Sequence, residues 1–450
     1  MPAESTVKPR WLDEKTQSLM DRAITRERAL SAMLMTYILT GLVFMLLPGT
    51  FLGVWNLVSI SKLQAAEAIS PGWIQAHGHA QIFGWVGTFI LGIGFYSIPK
   101  LRKMKPFSLW RGWVCWAIWT KGVLLRWAVT VWPWHWRILL PAAALLELAA
   151  FLLFFATIGP AHSASEGPKK PWEVWIYAVI AATSGLMLSL VLQVLECFSL
   201  ASSGTTLAFP HLFDQKYLVV STWGFLVPMV WGFSARWLTV FLGLRPLRSS
   251  LLGVAIVANT LGVIAALFAY FAPATILLLA GAVSAGVAIR FFEPSIKQPK
   301  TVNIHSSFPY FVRFAYVWLI VAALLGIWAE FSGSLSPGIW GASRHALTVG
   351  FIAAMVFSVG QRVLPSFCGM RILASRNLMF AGLALLMLGC TLRVASEILA
   401  YQNFAAWAWS VLPVSALIEM TAVTIFALNL VWTFLKPPVV APGPLQMYVE

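Results

Sequence analysis

The sequence predicts an all-α, polytopic membrane fold of twelve helices, and three observations carry that reading. Of 450 residues, 59% are hydrophobic and 10% charged, and the mean hydropathy is +0.80. Apolar runs of roughly 20 residues, the length that crosses a hydrocarbon core as a helix, recur along the chain. Short loops rich in Pro, Gly and charge separate them. A soluble fold of this length could not hide so much apolar surface.

Taken in order, the spans read near 30–57, 74–99, 108–131, 138–160, 172–200, 212–243, 249–271, 273–293, 310–332, 338–364, 376–400 and 406–436. The first follows a charged stretch from Lys8 to Arg28. The second opens after Pro71-Gly72 and stops at Pro99-Lys100, the third and fourth flank Pro133 to Arg137, and the fifth begins after Pro171. Pro210 precedes the sixth, Arg248 the seventh, and Pro273 divides the seventh from the eighth. Pro309, Pro337, Arg376 and Asn403 introduce the last four, and Lys436 closes the set. Proline suits such boundaries because it lacks the amide hydrogen that a helix interior needs. The chain is thus expected to comprise a tail over 1–29, a twelve-helix domain over 30–436 and a second tail over 437–450. The first thirty residues lack the apolar core and cleavage site of a secretory signal. Trp11 to Arg28 read either as an amphipathic surface helix or as a solvated tail.

The formal charge of +15 raises nucleic acid as a partner. The basic residues are dispersed over many short loops and form no single face, so lipid is the expected partner and nucleic acid is not. The N-terminal segment, the 2–3 loop (Lys100, Arg102, Lys103, Lys105), the 4–5 loop (Lys169, Lys170), the 6–7 loop (Arg245, Arg248), the 8–9 loop (Arg290, Lys297, Lys300), the 10–11 loop (Arg371, Arg376) and Lys436 fall on one side. The positive-inside rule makes that side cytoplasmic. The alternate loops carry chiefly Lys62, Arg137 and Lys216. Both termini are therefore expected in the cytoplasm. Cys115, Cys197, Cys368 and Cys390 stand singly, without CxxC spacing, and read as packing residues.

Polar groups inside spans are costly there and so are the first candidates for function. Ala76-His77-Gly78-His79-Ala80-Gln81 opens span 2, and Ser343-Arg344-His345-Ala346 lies early in span 10. Both spans run inward from the outer side, which puts His77 and His345 at similar depth. Positions two apart on an α-helix diverge by about 200°, so His77 and His79 cannot serve one ligand. His77 shares its side with Gln81, Gly84, Thr88 and Leu91, a small surface that a flat ligand can approach. His79 shares its side with Phe83, Val86, Ile90 and Ile93, which reads as core or lipid-facing. Beyond His345 the helix presents Val349, Ile352, Val356 and Val359, thinned by Gly350, Ala353 and Ala354.

This pattern points to a b-type haem clamped between His77 and His345, with Gly84 against the macrocycle. Arg344, Arg126 and Arg393 near outer helix ends, and Arg137 in an outer loop, are candidates for its acidic propionates. The alternative for each histidine alone is a hydrogen bond to a neighbouring helix. His79 is a possible supporting residue, or a metal ligand for copper helped by His135 or His211. His162 and His305 fall in cytoplasmic loops, out of reach. Lys121, Glu147 and Glu419 lie deep in their spans; a structural Lys121–Glu147 pair is the expectation and a proton path the alternative. Glu196, Glu330 and Glu397 sit near outer ends, within reach of interfacial water. Trp127, Trp132, Trp134 and Trp136 read as an outer aromatic belt.

In two blocks the chain resembles the NnrS family, haem- and copper-containing membrane proteins of the bacterial nitric-oxide response, and more distantly subunit I of the haem-copper oxidases. One block is Ala76-His77-Gly78-His79 with Phe83-Gly84 and Gly94-Phe95. The other is His345-Ala346-Leu347-Thr348-Val349-Gly350 leading to Gln361-Arg362. Phe95-Tyr96 is similar to the end of the C-type oxidase helix, which aligns that group's haem histidine with His77. The resemblance implies a haem-copper oxidase subunit I-like bundle that holds a low-spin haem on helices 2 and 10.

Departures accompany it. The acidic residue usual after the second NnrS histidine is Ala80 here, and the Gly-His-Thr-Gly-Arg block is replaced by Phe367-Cys368-Gly369-Met370-Arg371. The oxidases' dinuclear centre takes further histidines from helices 6, 7 and 10, and Trp223 to Gly232 contains none. Oxygen or nitric oxide reduction is therefore not expected. The expected role is a haem-binding protein of nitric oxide response or tolerance, with nitric oxide or another small gas as ligand and a redox protein as a further partner. The alternatives are a degenerate oxidase-like electron carrier and a secondary transporter. Pro228 and Gly232 interrupt span 6 as a transporter requires, but no counterpart or repeat accompanies them.

Overall fold

A computed structural model describes residues 14–65, 69–102, 104–159, 172–333 and 336–438. Every regular element among them is helical. Twelve helices among the described residues are long and apolar enough to cross a membrane. They are α1 (Thr16–Leu63), α2 (Pro71–Leu101), α3 (Leu109–Val131), α4 (Trp136–Ile158), α5 (Val174–Ser203), α6 (His211–Phe241), α7 (Ser249–Leu267), α8 (Phe271–Ile289), α9 (Phe308–Phe331), α10 (Gly338–Phe367), α11 (Arg376–Tyr401) and α12 (Ala408–Leu435). The count and order match the sequence reading, and most ends shift by only a few residues.

The largest shift is at the start, where helix begins at Glu14, inside the segment read as a tail, and continues into the first span. Glu27 explains why this stretch is ordered. Its carboxylate accepts from Lys100 Nζ at 2.6 Å and from Tyr96 OH at 2.7 Å, while Arg26 donates to the Phe107 carbonyl at 2.6 Å. The beginning of α1 is thus tied to the end of α2 and the loop after it. Residues 1–13, like His162, Lys169, Lys170 and 439–450, lie outside the described residues.

Consecutive helices pack on one another, and α12 returns to pack on α1, closing a ring. Leu47, Trp55, Leu124, Val257, Leu388 and Leu428 are exposed on the bundle surface, as a hydrocarbon surround requires. Burial singles out α2, α10 and α6, whose most apolar stretches are 78%, 67% and 61% buried, against 33% for α7. The two helices that carry the candidate histidines are therefore the most enclosed of the twelve. The core around them is aromatic, with Tyr37, Phe83, Trp119, Trp231 and Tyr316 almost fully buried.

These enclosed helices are irregular. π-helical stretches cover Ala80–Gly87 in α2, Val220–Leu226 and Ser234–Leu238 in α6, and Ala346–Ala353 in α10. Another, Met45–Phe51 in α1, surrounds Pro48, which withholds an amide hydrogen from the regular ladder. Each extra residue of a π turn rotates the later part of the helix by about 100° relative to a straight α-helix. Faces read from 3.6-residue spacing therefore hold up to His79 in α2 and His345 in α10, and fail beyond them.

Candidate functional site

His77 lies in the second turn of α2, a helix started by Pro71. Its Nδ1 is 2.8 Å from the Gly49 carbonyl of α1, and its ring packs over Gly53, where an added Cβ would stand 2.6 Å from Cε1. A carbonyl only accepts, so Nδ1 carries the hydrogen and Nε2 presents a lone pair. One turn on, Gln81 faces the same helix and donates to Thr50 Oγ1 at 3.0 Å.

His345 is arranged in the same sense. Its Nδ1 is 3.0 Å from the Gly341 carbonyl one turn earlier in α10, and 3.3 Å from Glu397 Oε2 on α11. Neither His77 nor His345 has a hydrogen-bond partner on Nε2 among the described residues. Glu397 is buried at 5% exposure and lies 3.5 Å from Arg393 Nη2, one helical turn back. Gly341 permits this approach, because a Cβ there would fall on Glu397 Oε1. Arg393 Nη1 and Glu419 Oε1 are buried without a hydrogen-bond partner among the described residues. His77 lies within electrostatic range of His345 and Arg393, and Glu397 of Arg393, His345 and Arg344. The structure thus brings His77, His345, Arg393 and Arg344 to one region. α2 packs chiefly on α1 and α3, and α10 on α9 and α11; the two histidine helices touch each other further along, through Trp85 and Phe357 with ring centroids 6.1 Å apart.

Other expected residues go elsewhere. Gly84 is turned by the π stretch against Phe44 of α1 and Val123 of α3, where a Cβ would lie 2.9 Å from Phe44 Cγ. It serves helix packing. Gly350 is likewise turned onto Trp318 of α9; the glycines that flank the candidate ligand are Gly49 and Gly53. Arg126 is buried, donates to Cys197 Sγ at 3.2 Å and lies 4.5 Å over the Phe209 ring, which commits its guanidinium to α5 and the loop before α6. Arg137 donates to the Ala201 and Gly204 carbonyls at 2.8 and 3.0 Å.

His79 faces inward. Its Nε2 is 3.0 Å from Glu147 Oε1, its ring stacks on Phe83 at 4.9 Å, and Glu147 Oε2 accepts from Gln193 Nε2 at 3.1 Å. Tyr217 OH completes the network, donating to Gln193 Oε1 at 2.7 Å. The expected Lys121–Glu147 pair is therefore corrected. α3 and α4 do meet at this level, but through Gly122, where a Cβ would be 2.8 Å from Glu147 Cγ, while Lys121 points outward and is exposed. His135 is exposed in the loop after α3 and meets Trp134 edge to face, ring centroids 4.5 Å apart; His211 is exposed at the start of α6. Among the described residues no group of three or more His, Cys, Asp or Glu is arranged to hold a metal ion.

Sequence reading missed Glu397 as a partner of His345, because its place near a helix end reads as solvated. The signal available was Arg393 and Glu397 one turn apart on one face. The His79 network joins four helices and had no local signature.

Among solved structures, a haem-copper terminal oxidase dimer determined by cryo-EM is similar in fold. The identity is 15% and the TM-score 0.63, with 92% of this chain and 86% of that chain covered. No curated protein matches the chain. The oxidase-like bundle implied by the sequence is thus the architecture found. The family pattern described as NnrS protein matches residues 30–437, which takes in both histidine helices and the ring that encloses them. The chain belongs to the NnrS family.

Proposed function

We propose that this protein holds a b-type haem between His77 and His345, toward the outer face of a bacterial inner membrane, and serves the response to or tolerance of nitric oxide. One observation carries the reading. Two histidines on the two most enclosed helices each have Nδ1 engaged by a backbone carbonyl, at 2.8 and 3.0 Å, which leaves both Nε2 atoms as lone-pair donors. The residues fit the group in a second respect. Arg393 Nη1 is buried without an acceptor, and a haem propionate would supply one. Arg344 lies within electrostatic range of Asp214 and Glu397 and would add a second basic group.

Bound there, haem would supply an iron able to exchange an electron or to take a diatomic gas. The chain's own part is to hold both imidazoles in one tautomer and to balance acidic edge groups with Arg393 and Arg344. The nitric oxide part of the reading rests on membership of the NnrS family. His79 Nε2 engages Glu147 while Nδ1 is buried without a partner, but among the described residues no further His, Cys, Asp or Glu joins it in a group of three or more that could hold a metal ion, and no step is derived through copper.

A second reading, an electron carrier between membrane partners, is favoured by the pair of imidazoles itself, since an iron held by both His77 and His345 would be suited to exchanging electrons. Visible spectra of the purified protein, oxidised and reduced, test the clamp: low-spin haem bands that survive His79→Ala but collapse in His77→Ala and His345→Ala are expected. A colourless protein from haem-sufficient cells would overturn it. Nitric oxide titration set beside quinone or cytochrome reduction separates the two readings.

A further inference from the structure

The two clamp histidines are not equivalent, and we infer that Glu397 makes them unequal: it fixes His345 as the strong, permanent iron donor and leaves His77 as the ligand that yields to a diatomic gas. The inference rests on the haem reading above and adds to it which side of the haem exchanges. The partners of the two rings differ in one respect. His77 Nδ1 meets only a neutral carbonyl, that of Gly49 at 2.8 Å. His345 Nδ1 meets the Gly341 carbonyl at 3.0 Å and, in addition, a carboxylate oxygen of Glu397 at 3.3 Å.

A carboxylate on the far nitrogen of a metal-bound imidazole fixes the ring's orientation and raises its donor strength. Glu397 is buried, so its charge acts with little screening. Oε2 makes no well-aligned hydrogen bond, so Gly341 takes the N–H and Glu397 acts on the ring as a charge. That charge is held in place from two sides. Arg393 lies 3.5 Å away on the same helix, and Gly341 lacks the Cβ that would occupy the position of Oε1. Among the described residues no carboxylate is paired with His77, whose ring rests on the bare backbone of Gly53. With haem bound, the carboxylate behind His345 would make that ring the stronger donor and favour oxidised iron, leaving His77 as the weaker ligand and the one a gas would displace.

Redox titration and carbon monoxide binding on the purified, haem-loaded full-length protein test this. Glu397→Gln removes the charge, and Gly341→Ala displaces the carboxylate while keeping it; both are expected to raise the midpoint potential above that of the parent, with Glu397→Asp returning it toward the parent value. His77→Ala is expected to retain haem and, when reduced, to bind carbon monoxide at least ten-fold faster than the parent, whereas His345→Ala loses haem on purification. Unchanged potential and spectrum in haem-loaded Glu397→Gln would overturn the inference, as would haem retained by His345→Ala and lost by His77→Ala. Should Glu397→Gln lose its haem, Glu397→Asp decides: recovered haem at a near-parent potential supports the inference, and no recovery overturns it. A parent protein without haem sinks the clamp itself, whereas low-spin haem indifferent to Glu397 and Gly341 sinks only the asymmetry.

Discussion

His77 and His79 stand on one helix, separated only by Gly78, yet they belong to different worlds. His79 is sealed into a network with Glu147, Gln193 and Tyr217 that joins α2, α4, α5 and α6. There the acceptors of a buried carboxylate are matched by donors, as a charge in a membrane interior requires. One atom of that network, His79 Nδ1, is buried without a partner, and the surroundings of His77 and His345 carry more such unused groups. Both Nε2 atoms lack partners, and the buried Arg393 Nη1 and Glu419 Oε1 make no hydrogen bond among the described residues. Buried polar groups are nearly always satisfied in native proteins, so a concentration of unused capacity marks a place where binding matters more than stability. A membrane histidine is thus a lock or a ligand according to what faces it, and the helix that carries it does not decide.

Substitutions can break or sharpen that contrast. The largest effect is expected from His345→Ala and His77→Ala, each of which abolishes the low-spin haem spectrum while leaving the protein folded by thermal denaturation. Next comes the lock. Glu147→Ala strands His79, 4% exposed, and is expected to cost about 3 kcal/mol of stability, read as a lowered Tm with the haem bands of the surviving protein unchanged. Loss of haem without loss of stability in that variant would merge the two regions into one. A smaller effect tests the glycines. Gly53→Ala places a Cβ 2.6 Å from His77 Cε1, whereas Gly78→Ala meets nothing within 4 Å. The first is therefore expected to shift the haem bands and cost about 1–3 kcal/mol, and the second to leave the spectrum alone. Lys121→Ala should change stability by less than about 0.5 kcal/mol, since Lys121 is exposed beside Glu147 and not paired with it.

The parts of the site that could be read in the sequence are those fixed by local chemistry. His77 and His345 stand out because each is a polar group in an apolar run, and their common depth comes from counting residues from the helix start. Arg344 and Arg393 emerge from the same count. Gly84 and Gly350 are misplaced by a reading that draws faces on straight α-helices, and the π stretches Ala80–Gly87 and Ala346–Ala353 rotate them onto Phe44 and Trp318. Glu147 is legible as deep but not in its partner, since the contact between α3 and α4 runs through Gly122 and leaves Lys121 outside.

By itself, the sequence determined the membrane class, the twelve helices and the histidines worth asking about. Those rest on hydropathy, length and the energetic cost of polar groups in hydrocarbon, all properties of short stretches. The tertiary structure decided which helices are innermost, where π turns redirect a face, that His79 closes on Glu147, and that a carboxylate, Glu397, stands beside His345 Nδ1 where His77 Nδ1 meets the Gly49 carbonyl. These are contacts between residues tens to hundreds of positions apart, set by how twelve helices pack into a closed ring, and no local pattern encodes them.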